Sequence, residues 1–241
     1  MSASENGGLL GIIGGVGPLA SAYFADLLIR KTQASSDGEH LPFLLYSDSR
    51  IPDRTAYILG KSTESPLPEM KHALKVLESA GCTLIALTCN TAHYFYGELC
   101  SASSVPVINM PREAVISAVK RAGSVKKIGV MATDGTISSG IYEKIIRSMG
   151  YEYAVPDAEG RKKTMEIIYS QVKAGKSADM NAFNSVVNGL LSAGCDSVIL
   201  GCTELSVINA DNRLTEKYPY ITDAMECLAE KCIELCGYKV K

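Results

Sequence analysis

Two cysteines stand in matched settings along this 241-residue chain. Ala80 to Cys89 reads A-G-C-T-L-I-A-L-T-C and Ala193 to Cys202 reads A-G-C-D-S-V-I-L-G-C, at a constant offset of 113 residues (202 − 89 = 195 − 82 = 113). Each run opens at a glycine and closes on a thiol. Asn90, Thr91 and His93 follow the first thiol, and Thr203 and Glu204 follow the second. A thiol acts as base or nucleophile only as its thiolate, a form that a helix N-terminus or a nearby cation favours. Both cysteines are expected where a strand passes into a helix, so free backbone N–H groups gather beside them. Such groups also hold carboxylates, and Asn90, Thr91, Ala92, Thr203 and Glu204 are placed to line the pocket. Two thiols facing one bound amino acid would work as base and acid on opposite faces of Cα. One thiolate removes the α-proton, the opposite thiol returns a proton, and the stereocentre inverts with no cofactor. The charge that develops beside the carboxylate then needs preorganised donors.

Positioning two such residues calls for two similar frames. Short apolar runs alternate with longer helical patterns, the mark of βαβ units and a parallel sheet. Strands are expected at Leu10–Gly14, Phe43–Tyr46, Thr83–Thr88 and Val107–Asn109. Their counterparts in the second half fall at Ile128–Met131, Tyr153–Val155, Ser197–Gly201 and Tyr220–Thr222. Helices are expected at Leu19–Lys31, Pro68–Ala80, Arg112–Ala122, Ser138–Met149, Arg161–Ala174, Asn181–Ala193 and Ala224–Cys236, with apolar residues three or four apart. The repeat extends outward: Pro106 matches Pro219 at the same offset, while Gly11 falls on Gly129 and Gly17 on Gly135 at 118. The fold class is therefore α/β, two similar lobes related by a pseudo-twofold axis, each a small mainly parallel sheet flanked by helices. The first lobe spans residues 9–115 and is joined by the C-terminal helix 224–236; the second spans 116–223, with the junction near Lys120–Lys127. Ligands of open parallel sheets bind beyond the carboxyl ends of the strands, so facing lobes would direct Cys89 and Cys202 into one cleft.

Bulk properties fit a cytoplasmic enzyme. Hydrophobic residues make up 46% and charged residues 21%, with a net charge of −2, so the chain carries no nucleic-acid footprint and no membrane-seeking surface. Eight cysteines without a signal peptide point to reduced thiols. No C-x-x-C occurs, so no metal is expected; Cys227, Cys232 and Cys236 read as small apolar residues of a helix. Cys82 and Cys195, at the strand starts, read as core.

The chain resembles the aspartate/glutamate racemase family, closest to its cofactor-independent aspartate racemases. Its two signatures stand as Ala86-L-T-C-N-T-A-H-Tyr94 and Val198-I-L-G-C-T-E-L-S-V-Ile208, and Gly11-I-I-G-G-V-G-P-L-Ala20 and Ile51-P-D-R-Thr55 fit the aspartate branch. The similarity runs from about residue 9 to 224. The resemblance implies Cys89 and Cys202 as the two-base pair, with substrate contacts from Asn90, Thr91 and Ala92. It also implies a carboxylate-binding arginine at Arg54 and a second cation at Lys173, with Lys163 the alternative by spacing. Thr133, after a second-half strand, is expected to line the cleft. Val16 stands where relatives often carry methionine, which bears on pocket shape. A small amino-acid substrate, no cofactor and a homodimer follow from the same resemblance, with glutamate or broader specificity as the alternative to aspartate.

One reading belongs to another reaction class. Gly15-V-G-P-L-Ala20 satisfies G-x-G-x-x-A between a strand and a helix, and Asp48 ends the next strand, which is a literal dinucleotide fingerprint and would suit a nicotinamide-dependent oxidoreductase. His93, four residues past Cys89, either tunes the thiol or is a satisfied structural histidine.

Overall fold

The computed structural model describes residues 7–241. Two parallel sheets carry the architecture. The first, in the order β2-β1-β3, comprises β1 (Leu10–Gly14), β2 (Phe43–Ser47) and β3 (Leu84–Leu87). The second, in the order β5-β4-β6-β7, comprises β4 (Lys127–Met131), β5 (Glu152–Ala154), β6 (Ser197–Leu200) and β7 (Ile221–Asp223). The two orders are equivalent under the sequence repeat. In the first half the fourth strand, expected at Val107–Asn109, shrinks to a single parallel bridge between Ile85 and Val107. Asn109 turns away to cap the next helix, its side chain accepting from Arg112 N–H at 3.0 Å.

Alternation along the strands builds three cores. Leu10 and Ile12 of β1, Leu84 and Ala86 of β3, Ile128 and Val130 of β4 and Ile199 of β6 enter one apolar cluster shared by both sheets. Their neighbours Ile13, Ile85 and Leu87 face an outer cluster of the first half, while Met131, Val198 and Leu200 face one of the second. The shared layer is filled by α1 (Pro18–Lys31), α5 (Met110–Ala122), α7 (Ile141–Ser148) and α12 (Ala224–Leu235). Helix α12 packs on both α1 and α5, and residue 115 lies inside α5. Cys227, Cys232 and Cys236 are buried. Cys82 and Cys195 are core residues that explain a second repeat: a Cβ on Gly11 would lie 3.0 Å from Cys82 Sγ, and one on Gly129 3.1 Å from Cys195 Sγ.

Further helices are α2 (Arg54–Ile58), α3 (Leu67–Ser79), α4 (Tyr96–Ala102), α6 (Asp134–Ser139), α8 (Ala158–Met165), α9 (Met180–Ser192), α10 (Thr203–Asn212) and α11 (Leu214–Lys217). The helix expected over Ser138–Met149 is interrupted because Gly140 takes a left-handed conformation (φ 67°) that ends α6 and begins α7. The helix expected over Arg161–Ala174 starts at Ala158, capped by Asp157, and widens into a π-helix over Glu166–Val172. There Lys173 N–H reaches back five residues to Ile168 O. No helix among the described residues is long and apolar enough to cross a membrane.

Candidate active site

The ends of β3 and β6 are anchored alike. Thr88 N–H donates to Ile13 O at 3.2 Å, and Gly201 N–H donates to Met131 O at 2.8 Å. The next residues are Cys89 and Cys202, each 6% exposed. Both line one small inner cavity of about 10 Å³, room for about one water, with Val16, Arg54, Thr55, Asn90, Thr91, Thr133, Tyr169, Lys173, Thr203 and Glu204. A larger vestibule of about 580 Å³ adjoins it and shares Asp53, Arg54, Lys173 and Glu204 with it. Of the residues expected to contact substrate, Ala92 does not line the inner cavity: it is fully buried in the outer apolar cluster of the first half.

Matched position does not give matched surroundings. Cys202 is the N-cap residue of the ten-residue α10, whereas Cys89 precedes a 3-10 turn (Thr91–Phe95). The residue two beyond each thiol also differs, Thr91 against Glu204 (204 − 91 = 113). Thr91 Oγ1 joins a hydroxyl cluster with Thr133 (3.0 Å) and Thr136 (2.8 Å) at the start of α6. Glu204 instead accepts the Cys202 S–H at 3.0 Å and the Thr203 hydroxyl at 3.3 Å. Burial and the Glu204 charge push the Cys202 thiol well above its ordinary pKa, against the opposing pull of Lys173. Cys202 is thereby held as a thiol, a proton donor.

Two cations meet the thiols from different walls. Arg54 opens α2, whose N-cap Asp53 accepts from Ala56 N–H at 2.7 Å. Its guanidinium donates to Ile51 O, Pro52 O and Val16 O at 3.2, 3.0 and 2.9 Å, while its buried Nε–H has no partner among the described residues. Burial opposes the Arg54 charge, yet its neighbours Cys89, Asp53 and Tyr169 together more than offset this and raise its pKa. Lys173 lies 3.9 Å from Glu204 Oε1 and 4.3 Å above the Tyr169 ring. Burial lowers its pKa, but the Glu204 carboxylate leads the groups that raise it, and the net shift is upward. Lys163 points elsewhere, to Ser185 Oγ at 3.3 Å on another face. Asn90 Nδ2 is a second buried donor without a partner among the described residues.

His93 has a structural place. Its Nε2 accepts from Met110 N–H at 3.1 Å, which puts the proton on Nδ1 for donation to Cys89 O at 2.8 Å. The glycine loop is also accounted for. A Cβ on Gly17, at φ 130°, would come within 2.8 Å of Glu204 Oε1, so the N-terminus of α1 already faces a carboxylate where a pyrophosphate would need to lie. Asp48 is engaged by Arg50 at 2.8 and 2.9 Å. These contacts count against the dinucleotide reading.

Sequence patterns gave no site role to three cavity residues, Asp53 and Thr55, which flank Arg54, and Tyr169. Tyr169 comes from the π-helix, its hydroxyl donating to Asp53 Oδ2 at 3.4 Å across the cleft. The one available signal was its position four residues before Lys173, one helical turn away.

Comparison with known proteins places this geometry among relatives. Residues 13–232 match the family model described as Asp/Glu/Hydantoin racemase. The chain is 28% identical over 233 residues to the broad specificity amino-acid racemase RacX of Bacillus subtilis (strain 168), covering 93% of this chain and 96% of that protein. An aspartate racemase from Picrophilus torridus superposes with a TM-score of 0.83 at 32% identity, covering 98% and 96% of the two chains. An aspartate racemase homologue from Pyrococcus horikoshii OT3 gives 0.74 at 25%, covering 94% and 98%.

Proposed function

The chain belongs to the Asp/Glu/hydantoin racemase family and is an amino-acid racemase, and on that premise we propose that it interconverts L- and D-aspartate by proton transfer between Cys89 and Cys202. One observation carries the reading. Both thiols line a single cavity that also holds Lys173 and two buried donors without partners, Arg54 Nε and Asn90 Nδ2. Buried donors left unpaired are costly unless a ligand completes them. A dicarboxylate supplies acceptors for both and charge for both cations.

The reaction proceeds as follows under this reading. With the α-proton facing Cys89, the Cys89 thiolate takes it and becomes a thiol. The electron pair left on Cα delocalises into the α-carboxylate, stabilised by the surrounding donors. The Cys202 thiol delivers its proton to the opposite face and becomes a thiolate. The reverse direction starts with Cys202 deprotonated, and the Glu204 carboxylate, 3.0 Å from its sulfur, is the acceptor within reach for that proton. Thr91, Thr133 and Thr203 supply hydroxyls around the bound molecule. The inner cavity is smaller than any amino acid, so entry from the vestibule requires the Asp53–Tyr169 contact across its mouth to part.

RacX is named for broad specificity, and a wider or glutamate-directed substrate range is the alternative here. The paired cations favour an acidic side chain. Incubation of the purified protein with L- or D-aspartate in D₂O, without added cofactor, tests the proposal. Deuterium at Cα together with the opposite enantiomer is expected; absence of both exchange and racemisation with every acidic amino acid would overturn it. We further propose a cytoplasmic homodimer, tested by sedimentation.

A further inference from the structure

Tyr142 is a buried residue of α7, from the second half of the chain, that touches the flanks of both cysteines. Its hydroxyl donates to Asn90 Oδ1 at 2.6 Å. Its ring lies against Gly201, where a Cβ would meet Tyr142 Cε2 at 3.1 Å. Asn90 follows Cys89 and Gly201 precedes Cys202.

A side-chain amide has a donor end and an acceptor end of nearly the same shape, and only the donor end attracts a carboxylate. We propose that Tyr142 is a positioning residue: its O–H holds the Asn90 amide with Oδ1 turned inward and Nδ2 presented to the cavity as a carboxylate donor. The inference rests on the reading of the cavity as a carboxylate site given above. Its physical basis is the partner count. Asn90 Oδ1 is the hydrogen-bond acceptor of the Tyr142 hydroxyl among the described residues, and Nδ2 is buried with no partner. Flipping the amide would pair N–H with the phenol oxygen, strand the phenol proton in the core and point Oδ1 at the ligand's negative charge. Burial also keeps Tyr142 a phenol, its pKa well above the ordinary value, so the donor persists at every pH at which the thiols work.

Tyr142→Phe keeps the ring and its Gly201 contact and removes only the hydroxyl. KM for aspartate is expected to rise about tenfold with kcat within about twofold, the pattern of lost ground-state binding. In an Asn90→Ala background the same substitution is expected to add nothing. A second readout needs no turnover. The Asn90 side-chain amide resonance, assigned by its loss in Asn90→Ala, is expected to shift when succinate is added to the unaltered protein and to respond weakly in Tyr142→Phe. Should Tyr142→Phe fail to fold, Gly201→Ala presses on the ring and is expected to raise KM likewise. Unchanged KM, succinate affinity and amide response in the folded variant would overturn the assignment. So would an Asn90 amide in the unaltered protein that ignores succinate. A protein that binds succinate through Asn90 yet never racemises aspartate refutes the reaction and leaves the positioning role standing.

Discussion

His93 ties the end of β3 to the start of α5, and its protonation should loosen that tie in a calculable way. The imidazole is neutral in the fold, with Nδ1–H on Cys89 O and Nε2 occupied by Met110 N–H. Burial lowers its pKa from 6.5 to about 4. Below pH 6.5 the unfolded chain therefore takes up a proton that the folded chain refuses until about pH 4. The stability this histidine contributes is whole above the unfolded value and is lost as pH falls toward the folded one, about 2.5 kcal/mol being gone by about pH 4.5. His93→Gln places an amide oxygen near the Nε2 position, keeping the Met110 bond and forfeiting the donor to Cys89 O, which costs about 1 kcal/mol. The variant is thus expected to be the less stable protein at about pH 7.5 and the more stable at about pH 4.5, the curves crossing between about pH 5 and 6. Asp223, raised by burial to about 6, works in the opposite sense across this window. Its folded form holds a proton that the unfolded chain has released, so it favours the fold as pH falls; being present in both proteins, it cancels in the difference. Urea midpoints measured across the range, with constant m, decide the matter. Parallel curves with no crossing would refute the reasoning.

Three further outcomes follow from the site. Cys89→Ser and Cys202→Ser should each reduce racemisation in both directions by at least about a hundredfold, read from both enantiomers by chiral chromatography; a variant that keeps most of its racemisation would show that a single base suffices. Lys173→Met should raise KM for aspartate about tenfold, whereas Lys163→Met, on the face that bonds Ser185, should leave steady-state kinetics unchanged; equal effects would mean that neither lysine reads a substrate carboxylate. Gly17→Ala forces a Cβ to within 2.8 Å of Glu204 Oε1 at φ 130°, so it should cost about 1–3 kcal/mol in urea unfolding and lower kcat, and a fully stable, fully active variant would dissolve the proposed placing of Glu204.

Much of this arrangement was legible in the residues because duplication prints structure twice. Strand period two separates Leu10 and Ile12 from Ile13 and, in the second half, Ile128 and Val130 from Met131. The paired glycines and cysteines, Gly11 with Cys82 and Gly129 with Cys195, are one packing contact made twice. What stayed hidden depended on backbone departures that hydrophobic pattern does not encode. The turn at Gly140 splits one amphipathic run into two helices. The π-helix changes which side chains share a face, which is how Tyr169 reaches the cavity. Ala92 looked like pocket lining by its neighbours, yet the 3-10 turn sends its methyl into the core. Tyr142 was indistinguishable from any other aromatic of a helix, because its hydroxyl partner lies 52 residues away in sequence.

The place of α12 bears on how the molecule comes into being on the ribosome. This helix fills the layer between the sheets and packs on α1. The segment beyond it fastens the end of α1 through the Thr32–Val240 bridge, the Gln33 N–H to Lys239 O bond and the Lys241 N–H to Lys31 O bond. Lys31 is further held by Glu230 at 2.7 Å. The half of the protein made first therefore waits, with one apolar wall bare, for a helix made after the whole second half. Contacts this distant along the chain close slowly. Cys89 thus spends translation in an unfinished lobe, so a chain cut short before α12 would carry both thiols without the helix that packs the layer between the sheets.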